Sequence, residues 1–217
     1  MIMALDPDST QNPPEFPPSG PDVLPPLVTQ GDPRLAKASE PVNLAEIKTE
    51  GFLNKLETLH EALIAYEGIG IAAPQIGWFE RVFFMLSMPD GVENEEEEGD
   101  LECWVNPVVV EMSQEQGWAW EGCLSVPGFR GWIKRPLTVK VQGLTLHGKP
   151  VTREYNGWNA RVFQHEYDHL DGWLYTYRAA DPRHIVSLEA LEHRASWPED
   201  WPAKGASVAP MGVVLPE

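Results

Sequence analysis

The sequence predicts an α+β fold, with mixed or antiparallel β-strands packed around a central helix and a second helix on the N-terminal side. Three observations predict it. Apolar residues recur at helical spacing in two places, near 52–66 and near 158–170. Between these stretches lie several short aromatic and β-branched runs separated by turn residues. Neither a strand–helix–strand alternation nor an internal repeat is visible, which disfavours a parallel α/β arrangement.

The first helix is expected after Asn43, which with Glu46 fits a capping arrangement. Phe52, Leu56, Leu59, Leu63 and Tyr66 then recur at steps of 4, 3, 4 and 3, forming one apolar stripe that ends near Gly68. Gly51 falls inside this stretch and weakens its first turn. The run 81–86 reads as a strand, and 103–105 and 108–111 as two more, parted by an Asn106-Pro107 turn. Further strands are expected at 118–120, 132–134, 137–142 and 151–155, the last entered through a hairpin turn at 146–149. Trp158, Val162, His165 and His169, at steps of 4, 3 and 4, mark the central helix. Residues 184–193 suggest one short additional helix.

The chain has 217 residues, 16 Lys+Arg and 33 Asp+Glu, for a formal net charge of −17. That charge is uneven. Residues 1–33 carry −5, residues 90–102 carry −8 and residues 181–217 carry −3, leaving −1 for the rest. The acidic balance disfavours specific nucleic-acid binding or an anionic membrane surface, both of which reward Lys and Arg. No apolar run approaches the roughly 20 residues that a membrane span needs. Nine prolines fall within residues 1–33, so residues 1–27 are expected to form a disordered, Pro-rich acidic tail. Residues 28–183 are expected to form the catalytic domain, with 90–102 as a solvated acidic loop insert. Residues 184–217 are expected to be an extension, partly helical or disordered, loosely held from about Trp197. The N-terminal segment lacks the basic and apolar regions of a secretory signal and is acidic where a transit peptide would be Arg-rich. A cytoplasmic protein with Cys103 and Cys123 reduced is therefore expected, an organelle remaining open.

The strongest chemical signal is His165-Glu166-Tyr167-Asp168-His169. On a helix, the two histidines lie on one face, about 6 Å apart along the axis, and both can reach one metal ion. Glu166 is turned about 100° from His165, where it can reach a metal-bound water as a general base without being a ligand. The same pattern fits a helix carrying two hydrogen-bonded histidines. A catalytic site needs a third protein ligand. Downstream candidates are Asp181, His184, Glu189 and Glu192; the upstream candidate is Cys123, whose thiolate suits Fe(II) or Zn(II). Taken alone, Cys123 also fits a small buried apolar residue.

Three segments occur in order: Gly68-Ile69-Gly70-Ile71-Ala72-Ala73-Pro74-Gln75, Glu121-Gly122-Cys123-Leu124-Ser125 and Gln164-His165-Glu166-Tyr167-Asp168-His169. Together they resemble peptide deformylase. Gly31 to Leu35 resembles the family's N-terminal opening. Gly157-Trp158 through Arg161, and Ser125-Val126-Pro127-Gly128-Phe129-Arg130, resemble the branch found in plant mitochondria and many bacteria. The likeness spans roughly residues 28–180; Ile71 departs from it, where the family usually has Leu.

The resemblance implies Cys123, His165 and His169 as metal ligands and Glu166 as catalytic acid/base. It implies one divalent ion, natively Fe(II), replaceable by Zn, Ni or Co. The reaction implied is hydrolysis of the formyl group from the N-terminal methionine of N-formylmethionyl peptides or nascent chains, releasing formate. The Gln75 side-chain amide and the Leu124 N–H would stabilise the developing oxyanion, and the Gly70 backbone would pair with the peptide. Ile69, Trp158 and Val162 would line the methionine pocket, although core packing fits them equally. Arg130 matches a peptide-contacting position. Asp168 would orient groups behind the ligands or sit in a surface salt bridge. A monomer is expected, docking at most transiently on the ribosome. Two alternatives differ in chemistry: a His-Glu-x-x-His metallopeptidase, which needs a downstream ligand, and a deformylase-like enzyme acting on another acylated substrate. A non-catalytic metal-holding or ribosome-docking module is a third, disfavoured by the intact Glu166.

Overall fold

The computed structural model describes residues 24–88 and 99–216. Among these residues nine strands form two sheets. The order of elements is α1 (Glu50–Ala65), β1 (Gly70–Ala72), β2 (Val82–Ser87), β3 (Asp100–Met112), β4 (Gln116–Glu121), β5 (Phe129–Pro136), β6 (Thr138–Leu144), β7 (Pro150–Asn156), α2 (Gly157–Leu170), α3 (Tyr175–Arg178), β8 (Ile185–Ser187), α4 (Leu188–Glu192) and β9 (Leu215–Pro216). The first sheet has the order β1-β2-β3-β6-β7 and the second β8-β5-β4-β9. Every pairing between these strands is antiparallel, so the expected α+β class holds and the sheets are antiparallel.

The side-chain period of two explains why β2 is apolar without alternation. Val82 and Phe84 face α1, packing with Phe52, Leu56, Leu59 and Leu63. Phe83 and Met85 face α2, packing with Ala160, Val162, Phe163 and Leu170. β3 repeats the pattern, with Leu101, Cys103 and Val105 toward α1 and Trp104 toward α2. This half of the first sheet thus lies between two helices. Full burial of a side chain such as Leu56 is worth roughly 1.5–3 kcal/mol, and Leu56 and Leu59 are completely enclosed.

Several expectations are corrected. The first helix begins at Glu50, capped by the Thr49 hydroxyl accepting from Phe52 N–H; Asn43 caps only a turn, accepting from Ala45 N–H. Gly51 therefore lies in the first turn of the helix and does not break it. The strands at 103–105 and 108–111 are one strand, β3, with a register shift between Val105 and Val108. Asn106 absorbs the shift at φ 50°, a region in which Asn is tolerated. Its amide clasps both backbone groups of Val42, at 2.8 and 2.9 Å.

Of the expected acidic loop 90–102, residues 90–98 lie outside the described residues, but Asp100 to Glu102 belong to β3. Leu101 is buried there, and Glu102 accepts a 2.5 Å bond from the Tyr155 hydroxyl.

The C-terminal segment is tightly held. Residues 184–193 form β8 and α4 rather than one helix. β8 extends the second sheet beside β5, and β9 pairs with β4. Between them Leu191, Ala206 and Ala209 cover Trp120 and Trp132, and the Trp120 indole donates to Ala206 O at 3.0 Å. Aromatic packing supplies the physical reason: Trp118 stacks on Trp132 at 6.2 Å, and Trp120 meets Trp132 at 5.3 Å and Trp197 at 6.3 Å. The expected N-terminal tail 1–27 falls mostly outside the described residues, yet Leu24 and Leu27 already pack on the α1 core. No helix among the described residues is long and apolar enough to cross a membrane.

Trp132 is fully buried at the centre of this aromatic group. Trp132→Ala is expected to destabilise the protein by about 3–5 kcal/mol, the usual cost of truncating a buried Trp, read as a lower urea midpoint in circular dichroism.

Candidate metal centre and catalytic site

The site forms where α2 passes between the two sheets. His165 and His169 sit one turn apart on α2, and Cys123 comes from the loop after β4. One ligand atom from each lies within 4.8 Å of the others. Cys123 Sγ is 3.2 Å from His169 Nε2. The four downstream candidates do not join them. His184 packs edge-on against Trp118, Asp181 pairs with Arg183 at 2.7 Å, and Glu189 and Glu192 are exposed.

Behind the histidines lies a buried ionic cluster. His165 Nδ1 is 3.0 Å from Glu121 Oε2. A carboxylate only accepts, so the imidazole donates from Nδ1 and turns Nε2 toward Cys123. Arg135 donates to both Glu121 oxygens, at 2.6 and 2.9 Å, and to Asp168 Oδ2 at 2.8 Å. Arg161 donates to Glu121 Oε1 at 2.5 Å. Arg178 closes on Asp168 Oδ1 at 2.7 Å. Asp168 is therefore a buried member of this cluster and not a surface ion pair. Burial pushes the Glu121 carboxyl up, but Arg135, the His165 hydrogen bond and Arg161 together outweigh it and hold Glu121 well below the carboxylate range.

The donor set fits a divalent transition metal on three counts. One thiolate and two imidazoles form a borderline-soft set suited to Fe(II) or Zn(II). His165 is held by a carboxylate on its far nitrogen, as metal-bound histidines are. Burial lowers His165, yet the Cys123 and Glu121 hydrogen bonds raise it well above the usual histidine value; acceptors that favour a proton there favour a cation as well. His169 is held well below its usual value by burial and by the charges of His165 and Arg135, so it offers a neutral ring.

Glu166 is 3% exposed, and among the described residues its Oε2 has no hydrogen-bond partner. Burial, opposed by His165, raises its carboxyl to about 7. Gly70 lies directly against it: a Cβ at position 70 would come 2.4 Å from Glu166 Oε1. A side chain at 70 would therefore have to displace the Glu166 carboxyl group. β1 is an edge strand, and Gly70 alternates with Ile69 and Ile71, whose backbone faces β2. The Gly70 N–H and C=O therefore face the open edge.

Gln75 is oriented at both ends. Its Oε1 accepts from Ala72 N–H at 2.8 Å, which fixes the amide so that Nε2 faces Ser125 Oγ at 3.2 Å and Cys123 Sγ at 3.5 Å. Among the described residues, the Leu124 N–H makes no backbone hydrogen bond. Of the other sequence-derived candidates, Ile69 is half exposed beside β1, Trp158 is partly buried, and Val162 is enclosed between α2 and the first sheet. The Arg130 guanidinium lies over Gly122, where a Cβ would come 2.3 Å from Nη1.

Sequence reasoning assigned no role to Glu121, Arg135, Arg161, Ser125 or Tyr175, whose ring stacks on His165 at 6.0 Å. For Arg135 a signal existed, since it continues the Phe129, Gly131 and Ile133 face of β5; Arg161 shares its helix face with Gln164, His165 and Asp168 and carried none.

The sequence profile described as Polypeptide deformylase matches residues 24–184. "Peptide deformylase 3" of Streptomyces avermitilis is 35% identical over 200 residues, 88% of this chain and 85% of that protein. "Peptide deformylase 1A, chloroplastic/mitochondrial" of Arabidopsis thaliana is 36% identical over 178 residues, 78% of this chain and 66% of that protein. Among solved structures, a Met-Ala-Ser-bound class I type b peptide deformylase from Acinetobacter baumannii superposes with TM-score 0.67 at 36% identity, over 72% of this chain and 98% of that one. The peptide deformylase of Thermotoga maritima gives 0.63 at 34% identity, over 73% and 99%.

Metal analysis of the purified protein is expected to find about one divalent transition-metal ion per chain. Cys123→Ser is expected to lose it. Cys103→Ser should retain it, since Cys103 is buried in the α1 core; metal loss there would contradict the ligand assignment.

Proposed function

The chain belongs to the peptide deformylase family, and from that premise we propose that it is a metal-dependent hydrolase removing the N-formyl group from the N-terminal methionine of newly made polypeptides, with release of formate. The observation that carries this reading is the juxtaposition at Gly70. There an open strand edge, able to pair with an extended peptide, meets a buried carboxyl with an unpartnered oxygen, next to a Cys/His/His set. The Met-Ala-Ser tripeptide in the A. baumannii relative supports a peptide beginning with methionine as substrate.

Cys123, His165 and His169 would hold the ion, natively Fe(II), with Zn, Ni or Co able to take its place. A divalent ion held by one thiolate and two neutral imidazoles keeps a net +1 charge and, when bound, activates a water and polarises a carbonyl. The protein's own groups do the rest. Glu166, with its carboxyl poised near neutrality by burial, takes the proton of the attacking water and returns it to the leaving amine. Negative charge develops on the formyl oxygen, and the Gln75 Nε2 and the Leu124 N–H supply preset donors for it. Gln75 suits this role because Ala72 N–H and Ser125 Oγ fix which end of its amide faces the site. The Gly70 backbone aligns the peptide along the β1 edge. Arg130 would contact the peptide, and Ile69, with Trp158 and Val162 behind it, would border the methionine side chain.

We also propose that the folded unit runs through the C-terminal segment, because β8 and β9 complete the second sheet. A cytoplasmic location, a monomeric state and at most transient ribosome contact remain parts of this reading.

The test is formate release from formyl-Met-Ala-Ser by protein loaded anaerobically with Fe(II) or loaded with Ni(II). Glu166→Ala is expected to keep the metal and lose at least about 10³-fold in kcat/KM, the scale of a lost general base. Gln75→Ala should lose about 10²–10³-fold in kcat, the scale of one oxyanion donor. Gly70→Ala should fold but lose activity, because its methyl group displaces the Glu166 carboxyl. Formate release by Glu166→Ala at the parent rate would overturn the reading.

A further inference from the structure

We propose that Arg161 is a positioning residue for the metal centre: it locks the Glu121 carboxylate that aims His165, and so sets how tightly the protein keeps its divalent ion. This rests on reading Cys123, His165 and His169 as the metal ligands.

Arg161 lies on α2 one turn before His165 and is 2% exposed. Its guanidinium makes three bonds to three different places. Nη1 donates to Glu121 Oε1 at 2.5 Å and to Ile133 O at 3.0 Å, and Nη2 donates to Gly117 O at 2.7 Å. Gly117 and Glu121 are on β4 and Ile133 is on β5. One planar fork therefore ties the ligand helix to both central strands of the second sheet and to the carboxylate behind His165. A lysine ammonium can satisfy one or two of these acceptors but not the spread of all three.

Glu121 explains why a second guanidinium is needed. Each of its oxygens receives two donors: Oε1 from Arg135 Nε and Arg161 Nη1, Oε2 from Arg135 Nη2 and His165 Nδ1. A carboxylate has about four acceptor sites, so this one is saturated and cannot turn. Arg135 alone would not hold it, because Arg135 is divided with Asp168, which Arg178 also pulls on. Among the described residues, Glu121 is the only ion-pair partner of Arg161. Removing Arg161 leaves Oε1 one donor short, frees the carboxylate to follow Arg135 toward Asp168, and lets the His165 ring drift from the direction that presents Nε2. Partners of this kind behind a metal ligand typically change metal affinity 10–100-fold.

The experiment measures Ni(II) dissociation constants by chelator competition for the full chain, Arg161→Gln, Glu121→Gln and the double variant, each checked for folding by circular dichroism. Arg161→Gln is expected to raise the dissociation constant about 10–100-fold. In the Glu121→Gln background, the same change should matter less than about 3-fold, because the carboxylate it acts through is gone. A dissociation constant within about two-fold of the parent, or an equal fold-change in both backgrounds, would overturn the proposal in favour of a purely structural anchor. If Arg161→Gln does not fold, Arg161→Lys is measured the same way; failure of both to fold also assigns Arg161 to stability alone. The readout is independent of turnover. Absence of formate release with this metal-binding pattern intact would refute the proposed function and leave Arg161's role standing.

Discussion

The Glu121 carboxylate is the interaction on which the site depends. It ends β4, sits at 3% exposure, and is shared by Arg135 from β5 and by Arg161 and His165 from α2. Taking such charges out of water costs several kcal/mol per ion. The cost is offset only when these charges find partners in good geometry, as both Glu121 oxygens do, although Arg161 Nε has none among the described residues. That requirement dictates how the second sheet docks against α2, to within hydrogen-bonding distance. The positions of Cys123, two residues past Glu121, and of His165 follow from that docking. The arrangement of Cys123 and the two histidines is therefore set by a polar contact between elements whose apolar packing alone would allow small slides.

The first sheet contributes the other half of the site through an absence. β1 is short, ends its sheet, and begins with a glycine whose missing Cβ makes room for the Glu166 carboxyl. The close approach at 70 also brings an unpaired backbone edge beside the Glu166 carboxyl. Edge strands are usually liabilities that proteins shield; here the Gly70 backbone is left open beside the Glu166 carboxyl, while the Ala72 N–H is taken by Gln75. Rigidity behind this edge comes from Phe83 and Phe84, which anchor β2 on opposite faces, one toward α2 and one toward α1.

Several elements were legible in the chain and others were not, for identifiable reasons. The apolar stripe of α1 and the histidine spacing of α2 are local periodicities, and both appear as expected. The start of α1 was misplaced because Asn43 and Thr49 are both good caps, and only burial of Phe52 by Trp78, Leu56 and the strands behind it selects the later one. Asn106-Pro107 looked like a turn because its residues favour one; Val42, 64 residues away, supplies the hydrogen bonds that keep the chain extended through it. The C-terminal segment looked loose because its Pro and Gly residues break periodicity. Its order comes from covering a tryptophan cluster made by β4 and β5, which no local pattern reveals.

By itself the sequence determined the family, the Cys and His residues that form the candidate metal centre and the helix that carries two of them, because these follow from local order and spacing. It also showed that the large negative charge belongs mostly to the segments 1–33 and 90–102, and that without these and residues 181–217 the rest carries only −1. Only the tertiary structure brought Cys123 beside the two histidines, set the Glu166 carboxyl against Gly70, and showed what fixes the imidazole of His165. Each of these depends on distances between groups 40 to 100 residues apart in the chain, such as Cys123 to His169, Arg161 to Glu121 and Gly70 to Glu166. Those distances are set by close packing and by the satisfaction of buried charges, which spacing along the chain does not encode.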